Sequence, residues 1–183
     1  MNFIQLIDEK LFYFINLTLS NPVFDKIMPI ITNGENWVIF FIIMWFYVFI
    51  KGGRKGKVLA ILIFLCIALS DQTSNLIKEF IGRIRPCHTL SDVHLLINCG
   101  SGKSFPSSHA VNNFAGAVLI SHFYPDLRYL IYSGAFIVAI SRVFVGVHYP
   151  FDTLGGIIIG TLIGLFMVFL WELINKKFKL VKN

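Results

Sequence analysis

The chain has 183 residues, 56% of them hydrophobic and only 14% charged, with a formal net charge of +6. Soluble domains carry about 25% charged residues, so with a mean hydropathy of +0.72 the composition excludes disorder, a collagen-like fibre and a water-soluble globule. Nucleic acid is a poor partner for the positive balance, because many basic residues sit beside hydrophobic blocks, as membrane orientation requires.

Residues 2–20 come first. Phe3, Ile4, Leu6, Ile7, Leu11, Phe12, Phe14 and Ile15 fall largely at helical spacing, with Asp8, Glu9 and Lys10 among them. The apolar run after Lys10 is too short to span, so this pattern predicts an amphipathic helix lying in the membrane interface, with a sixth span as the alternative. The same charges, and the lack of a small-residue cleavage site, argue against a cleavable signal peptide. Asn21-Pro22 is expected to end the helix.

Five apolar blocks follow, at Trp37–Ile50, Val58–Phe80, Pro106–Tyr124, Leu127–Val147 and Phe151–Trp171. A spanning helix needs about 20 residues. The first block reaches that length only if it begins near Asn33 or its lysines snorkel. The third does so only if it opens on Pro106, a residue suited to the first helical position. The expected fold is all-α: a polytopic membrane bundle of five core helices over residues 33–175 plus the N-terminal helix, one domain over 1–183.

Basic residues orient the bundle. Lys51, Arg54, Lys55 and Lys57 crowd the link between the first two spans, and Lys176, Lys177, Lys179 and Lys182 crowd the C-terminus. Alternating spans put both clusters, with the short link at Asp126 and Arg128, on one face, which the positive-inside rule makes cytoplasmic. The other face receives a long link, Gly82 to Phe105, and a tight one at His148-Tyr149-Pro150.

That other face also collects ionisable groups, which mark functional sites in membrane proteins. Lys78, Glu79, Arg83 and Arg85 lie at the outer end of span two, His109 at the start of span three, and Arg142 near the end of span four. His148 follows just beyond, and Asp152 opens span five. Lys78, Arg85 and Arg142 offer positive charge and forked donors, which suit an oxyanion with several oxygens. Ser107 and Ser108 sit at a helix N-terminus, which also favours an anion. Two histidines, one with a carboxylate four residues on, supply a nucleophile or base and a proton donor. Phosphate matches this set best.

These residues spell a pattern: Lys78-(six residues)-Arg85-Pro86, then Pro106-Ser107-Ser108-His109, then Ser141-Arg142-(five residues)-His148-(three residues)-Asp152. It resembles the type 2 phosphatidic acid phosphatase family, which shares its signature with vanadium haloperoxidases. The resemblance implies a helical bundle that removes phosphate from lipids without metal or other cofactor. His148 would attack phosphorus and form a phosphohistidine, with Asp152 orienting its ring. His109 would protonate the leaving oxygen and then activate water. Lys78, Arg85 and Arg142 would hold the phosphoryl oxygens, with Ser107 and the amide of Ser108 completing the cradle. Ser108 departs from the family, which usually has glycine there.

The small size resembles bacterial members, implying an inner-membrane enzyme with a periplasmic site. Phosphatidylglycerol phosphate, lipid A 1-phosphate, undecaprenyl diphosphate and phosphatidic acid are the candidate substrates. The expected partners are this lipid and the bilayer, with no nucleic acid and no required protein. Transfer of the phosphoryl group from His148 to a lipid or sugar acceptor is an alternative, as is a non-enzymatic transporter. A transporter fits less well because the charges gather at one face, and a haloperoxidase would be soluble.

Outside the signature, Arg83 and Lys103 are read as snorkelling to lipid phosphates, and His88, His94 and His122 as loop residues. Asp71, Gln72, Thr73, Ser74 and Asn75 put unusual polarity inside span two. Asp71, Asn75 and Lys78 share one helical face, consistent with support for Lys78, a solvated notch or contact with another helix. Cys66 is expected to pack within its span. Cys87 and Cys99 bracket part of the outer loop, where a disulfide would brace it and free thiols are the alternative.

Overall fold

A computed structural model describes residues 3–181. Asn2, at the start of the expected N-terminal helix, and Lys182, of the C-terminal basic cluster, lie outside the described residues. The regular elements of the described residues are all helices: α1 Phe3–Tyr13, α2 Pro22–Thr32, α3 Val38–Lys51, α4 Gly53–Ile81, α5 Pro86–Thr89, α6 Ser108–Phe123, α7 Arg128–Phe144 and α8 Pro150–Phe178. Among these residues, four stretches are long and apolar enough to cross a membrane: Gly34–Lys51, Gly53–Thr89, Pro125–Phe144 and Pro150–Phe178.

The centre of the bundle is the pair α6 and α8. Gly156, Gly160 and Gly164 recur every fourth residue on α8, forming a seam of small residues of the kind that lets membrane helices approach closely. A Cβ at these three positions would lie 2.8 Å from the Ser107 carbonyl oxygen, 2.3 Å from that of Val111 and 2.8 Å from that of Ala115. α6 is therefore almost enclosed, with Val111, Ala115 and Leu119 packed against Leu59 and Cys66 of α4 and Ile163, Met167 and Trp171 of α8. At 16 residues it is shorter than the expected third span. Pro106 does not open it: the Phe105-Pro106 peptide is cis, and the helix starts at Ser108 with Ser107 as its N-cap.

Two N-terminal features differ from expectation. Asn21-Pro22 ends one helix but also begins α2, which the apolar pattern did not reveal. The Asn21 side chain accepts from the Val23 and Phe24 amides at 3.0 and 3.1 Å, and Pro22 takes the first turn. Met28 and Phe24 of α2 then pack on Phe144. α1 also faces the bundle with unexpected residues. Asp8, Phe12 and, in the π-helical turn that follows, Asn16 are buried, whereas Phe3, Ile4, Leu11 and Phe14 are exposed. α1 is 11 residues long and is not among the stretches fit to cross.

Arg54, Lys55 and Lys57 lie in the first turns of α4, and Lys176 and Lys177 in the last turn of α8. Lys55 stands 4.8 Å over the ring of Tyr124, at the end of α6. The bundle thus has a basic end and, opposite it, an end carrying residues 82–107 and 145–149.

Candidate active site

α4 ends at Gly82, in the left-handed region (φ 66°), and places Lys78 in its last turn. The Lys78 ammonium donates to the Pro106 carbonyl oxygen, tying α4 to the approach to α6. Beyond the turn, Arg85 caps the short α5. Its guanidinium is aimed by two carbonyls: Nε donates to Gly102 O at 3.0 Å and Nη1 to Val147 O at 3.1 Å. Cys87 and Cys99 form a disulfide with Cα atoms 6.2 Å apart, closing the loop that delivers Gly102. His88 Nε2 contacts Gly100 O at 2.9 Å within it.

His148 lies in the link between α7 and α8. Gly146 makes that link possible: its φ is +85°, and a Cβ there would meet Val93 Cγ1 at 2.9 Å and His94 O at 3.0 Å. The His148 ring is buried, with Nε2 3.2 Å from Arg85 Nη1. A guanidinium can only donate, so Nε2 must carry the lone pair and Nδ1 the proton. Nδ1 in turn faces Asp152 Oδ2 at 3.5 Å, longer than a formed hydrogen bond. Burial, helped by the charges of Arg142 and Arg85 and opposed by Asp152, lowers the imidazole pKa to about 4. The ring is neutral at physiological pH.

Asp152 is fully buried at the start of α8 and held on all sides. Oδ2 accepts from the Tyr149 amide at 2.9 Å, and Oδ1 from Arg83 Nη1 at 2.7 Å. Arg83 is therefore not free to snorkel. Its other arm, Nη2, pairs with the buried Asp8 of α1 at 2.6 Å, and its guanidinium lies 4.0 Å over the Tyr149 ring. Asp8 also accepts from the Phe151 amide at 2.8 Å, at the open N-terminus of α8. Burial pushes the Asp8 carboxyl pKa up, against the pull of Arg83 and that amide.

The start of α6 completes the site. The Ser107 amide donates to the Asp152 carbonyl oxygen at 3.0 Å, while its buried hydroxyl has no partner. Ser108 and His109, both half-buried, open the helix, and the charges of Arg142, His148 and Arg85 all bear on His109. Arg142 is buried in the last turn of α7, where Nη1 donates to Thr32 Oγ1 at 2.6 Å and Nε has no partner. Three cations, two histidines and the free amides of a helix start thus gather at the end opposite the basic one.

The pairing of Arg83 with Asp152 and Asp8 had no signal in the sequence, because these partners lie 69 and 75 residues away. Thr32 belongs to the helix that the apolar pattern missed. Of the remaining polar residues, Asp71 does not touch Lys78 but accepts from Asn112 of α6 at 2.7 Å. His94 pairs with Asp25 at 3.1 Å, and His122 with Glu172 at 2.9 Å. Cys66 is buried in the core.

The fold has counterparts among solved structures. It matches Aquifex aeolicus LpxE with a TM-score of 0.74 and 27% identity, covering 88% of this chain and 94% of that one. It matches a transmembrane PAP2 type phosphatidylglycerolphosphate phosphatase from Bacillus subtilis equally well, with a TM-score of 0.74, 26% identity and coverage of 94% and 88%. In sequence it is 30% identical over 170 residues to a lipid A 4'-phosphatase of Bacteroides thetaiotaomicron, spanning 87% of this chain and 75% of that protein. Residues 59–176 match the PAP2 superfamily. This stretch holds every signature residue from Lys78 to Asp152, and the chain belongs to that family.

Proposed function

We propose that this membrane protein is a lipid phosphate phosphatase working through a phosphohistidine at His148, without a metal ion. One observation carries the reading: Arg85 on one side and Asp152 on the other leave a neutral His148 with its Nε2 lone pair beside the guanidinium that would hold the phosphate. In the first step His109, protonated as the phosphate dianion binds beside it, gives its proton to the lipid oxygen while Nε2 attacks phosphorus and the bond from phosphorus to that oxygen breaks. In the second, His109 takes a proton from water, the hydroxide attacks phosphorus, and the P–N bond breaks to release inorganic phosphate. Lys78, Arg85 and Arg142 balance the charge on the phosphoryl oxygens, with the Ser107 hydroxyl and the Ser108 amide. The 3.5 Å from Nδ1 to Asp152 closes to a hydrogen bond as positive charge grows on the ring.

The relatives' names make lipid A phosphates and phosphatidylglycerol phosphate leading candidates, beside undecaprenyl diphosphate and phosphatidic acid. The site end is read as extracytoplasmic, since the basic end is the one retained inside. The test is phosphate release by detergent-purified protein in EDTA across these four lipids, with His148→Ala beside it. Release by wild type and none by the variant is expected, with phosphate trapped on His148 after rapid quenching. Activity that survives in His148→Ala overturns the mechanism, and activity lost in EDTA but restored by a divalent ion overturns its metal independence.

A further inference from the structure

Arg142 is fixed at a single point. Among the described residues its guanidinium makes one hydrogen bond, from Nη1 to Thr32 Oγ1 at 2.6 Å, and its Nε is buried without a partner. Arg85, by contrast, is aimed by two carbonyl oxygens and meets His148. An arginine side chain has many rotamers to lose, so where the Arg142 fork points depends on that one hydroxyl.

Thr32 ends α2 and is 1% exposed, on the face that Met28 buries against Phe144 one turn earlier. Valine would fill the same space, so packing alone does not call for the hydroxyl. The Thr32 carbonyl is engaged as well. α2 stops there because Asn33 turns extended, with its amide closing on the Pro29 carbonyl oxygen at 3.1 Å. The Asn36 amide, which would reach the Thr32 carbonyl in a continuing helix, bonds Asn33 O instead at 3.1 Å. The released carbonyl accepts from the His109 imidazole. The negative end of the α2 dipole thus faces an arginine and a histidine of the site.

We infer that Thr32 is the positioning residue for Arg142: its hydroxyl takes one arm of the fork and turns the rest towards the phosphoryl oxygens, while its carbonyl sets that hydroxyl in register with His109. The inference rests on the phosphatase reading and extends the site to α2, which carries none of the signature residues. A neutral imidazole has one N–H. With that N–H spent on Thr32, the other ring nitrogen is left to carry the proton that passes to the lipid oxygen and comes back from water.

The test measures kcat and KM for Thr32→Val, Thr32→Ser, Arg142→Ala and the Thr32→Val/Arg142→Ala double variant. The substrates are whichever of the four lipids wild type cleaves fastest, and nitrophenyl phosphate, whose leaving group needs no proton. Thr32→Val is expected to lower kcat about 10–100-fold, the worth of a hydrogen bond to a charged group, with KM changed less than about threefold. Thr32→Ser should recover most of the loss. In the Arg142→Ala background, Thr32→Val should cost less than about twofold more, because the hydroxyl then has nothing to aim. Its loss should be equal on the two substrates, since the carbonyl beside His109 is retained. Should Thr32→Val not fold, Thr32→Ala carries the same expectations, and failure of both to fold makes the hydroxyl structural and overturns the inference. Wild-type rates in Thr32→Val, or losses that multiply in the double variant, overturn it too. A loss confined to the lipid also overturns it, by assigning Thr32 to proton transfer. In each case release that still depends on His148 leaves the phosphatase reading standing, whereas no release by wild type overturns that reading and the inference together.

Discussion

Arg83 has one arm on each of two buried carboxylates, Asp8 at 2.6 Å and Asp152 at 2.7 Å. Truncating it leaves both unpaired, a loss of about 3–5 kcal/mol for a broken buried pair. It also strips a positive charge from Asp152, whose full negative charge then bears on His148 and raises the imidazole pKa above about 4. Since the protonated ring has no lone pair on Nε2, activity is present above that pKa and lost as pH falls through it. Arg83→Ala is therefore expected to lower kcat about 10–100-fold and to move the acid limb of the pH–rate profile upward, with Arg83→Lys partly restoring both. A uniform drop with an unmoved limb would reduce Arg83 to a structural brace. The signature residues were legible in the sequence because local spacing carries them: Asp152 lies one helical turn beyond His148. Arg83 was not, since an arginine beside a membrane end looks the same whether it meets lipid or two carboxylates on distant helices.

At the scale of elements, helix existence was easier to read than helix ends. The long spans follow from apolar length alone, and α4 and α8 exceed their expected bounds because lysine and arginine extend helices well. α2 escapes the apolar pattern because Asn21-Pro22 reads as a stop, when an N-cap residue followed by proline is equally a start. The glycine seam of α8 has no signal in an apolar count, and it sets how closely α6, which carries His109, approaches α8. Gly160→Leu is expected to push α6 from α8, at a cost of about 1–3 kcal/mol for overpacking. It should lower the thermal midpoint in detergent and abolish most phosphate release. Gly134→Leu is the control, since a Cβ on that α7 glycine meets nothing within 4 Å. Equal effects from both substitutions would show that the seam has no special part.

At the scale of the whole molecule, the Cys87–Cys99 bridge reports on topology. Disulfides persist in oxidising compartments and are kept reduced in the cytosol. If the site end is extracytoplasmic, alkylation of denatured, unreduced protein taken directly from membranes labels Cys66 alone. Reduction beforehand exposes all three cysteines. Three labels without reduction would place the site end in the cytosol and reverse the orientation drawn from the basic residues.

The bond from the Phe151 amide to Asp8 joins residues 143 positions apart. During synthesis α1 must wait while the residues between Asp8 and Phe151 are made. Until α8 has entered the bilayer, Asp8 has no helix start to cap, and Arg83 has only one of its two carboxylates. Assembly of the site thus waits on α8: a nascent or prematurely terminated product without that helix resides among lipid phosphates without the means to cleave them.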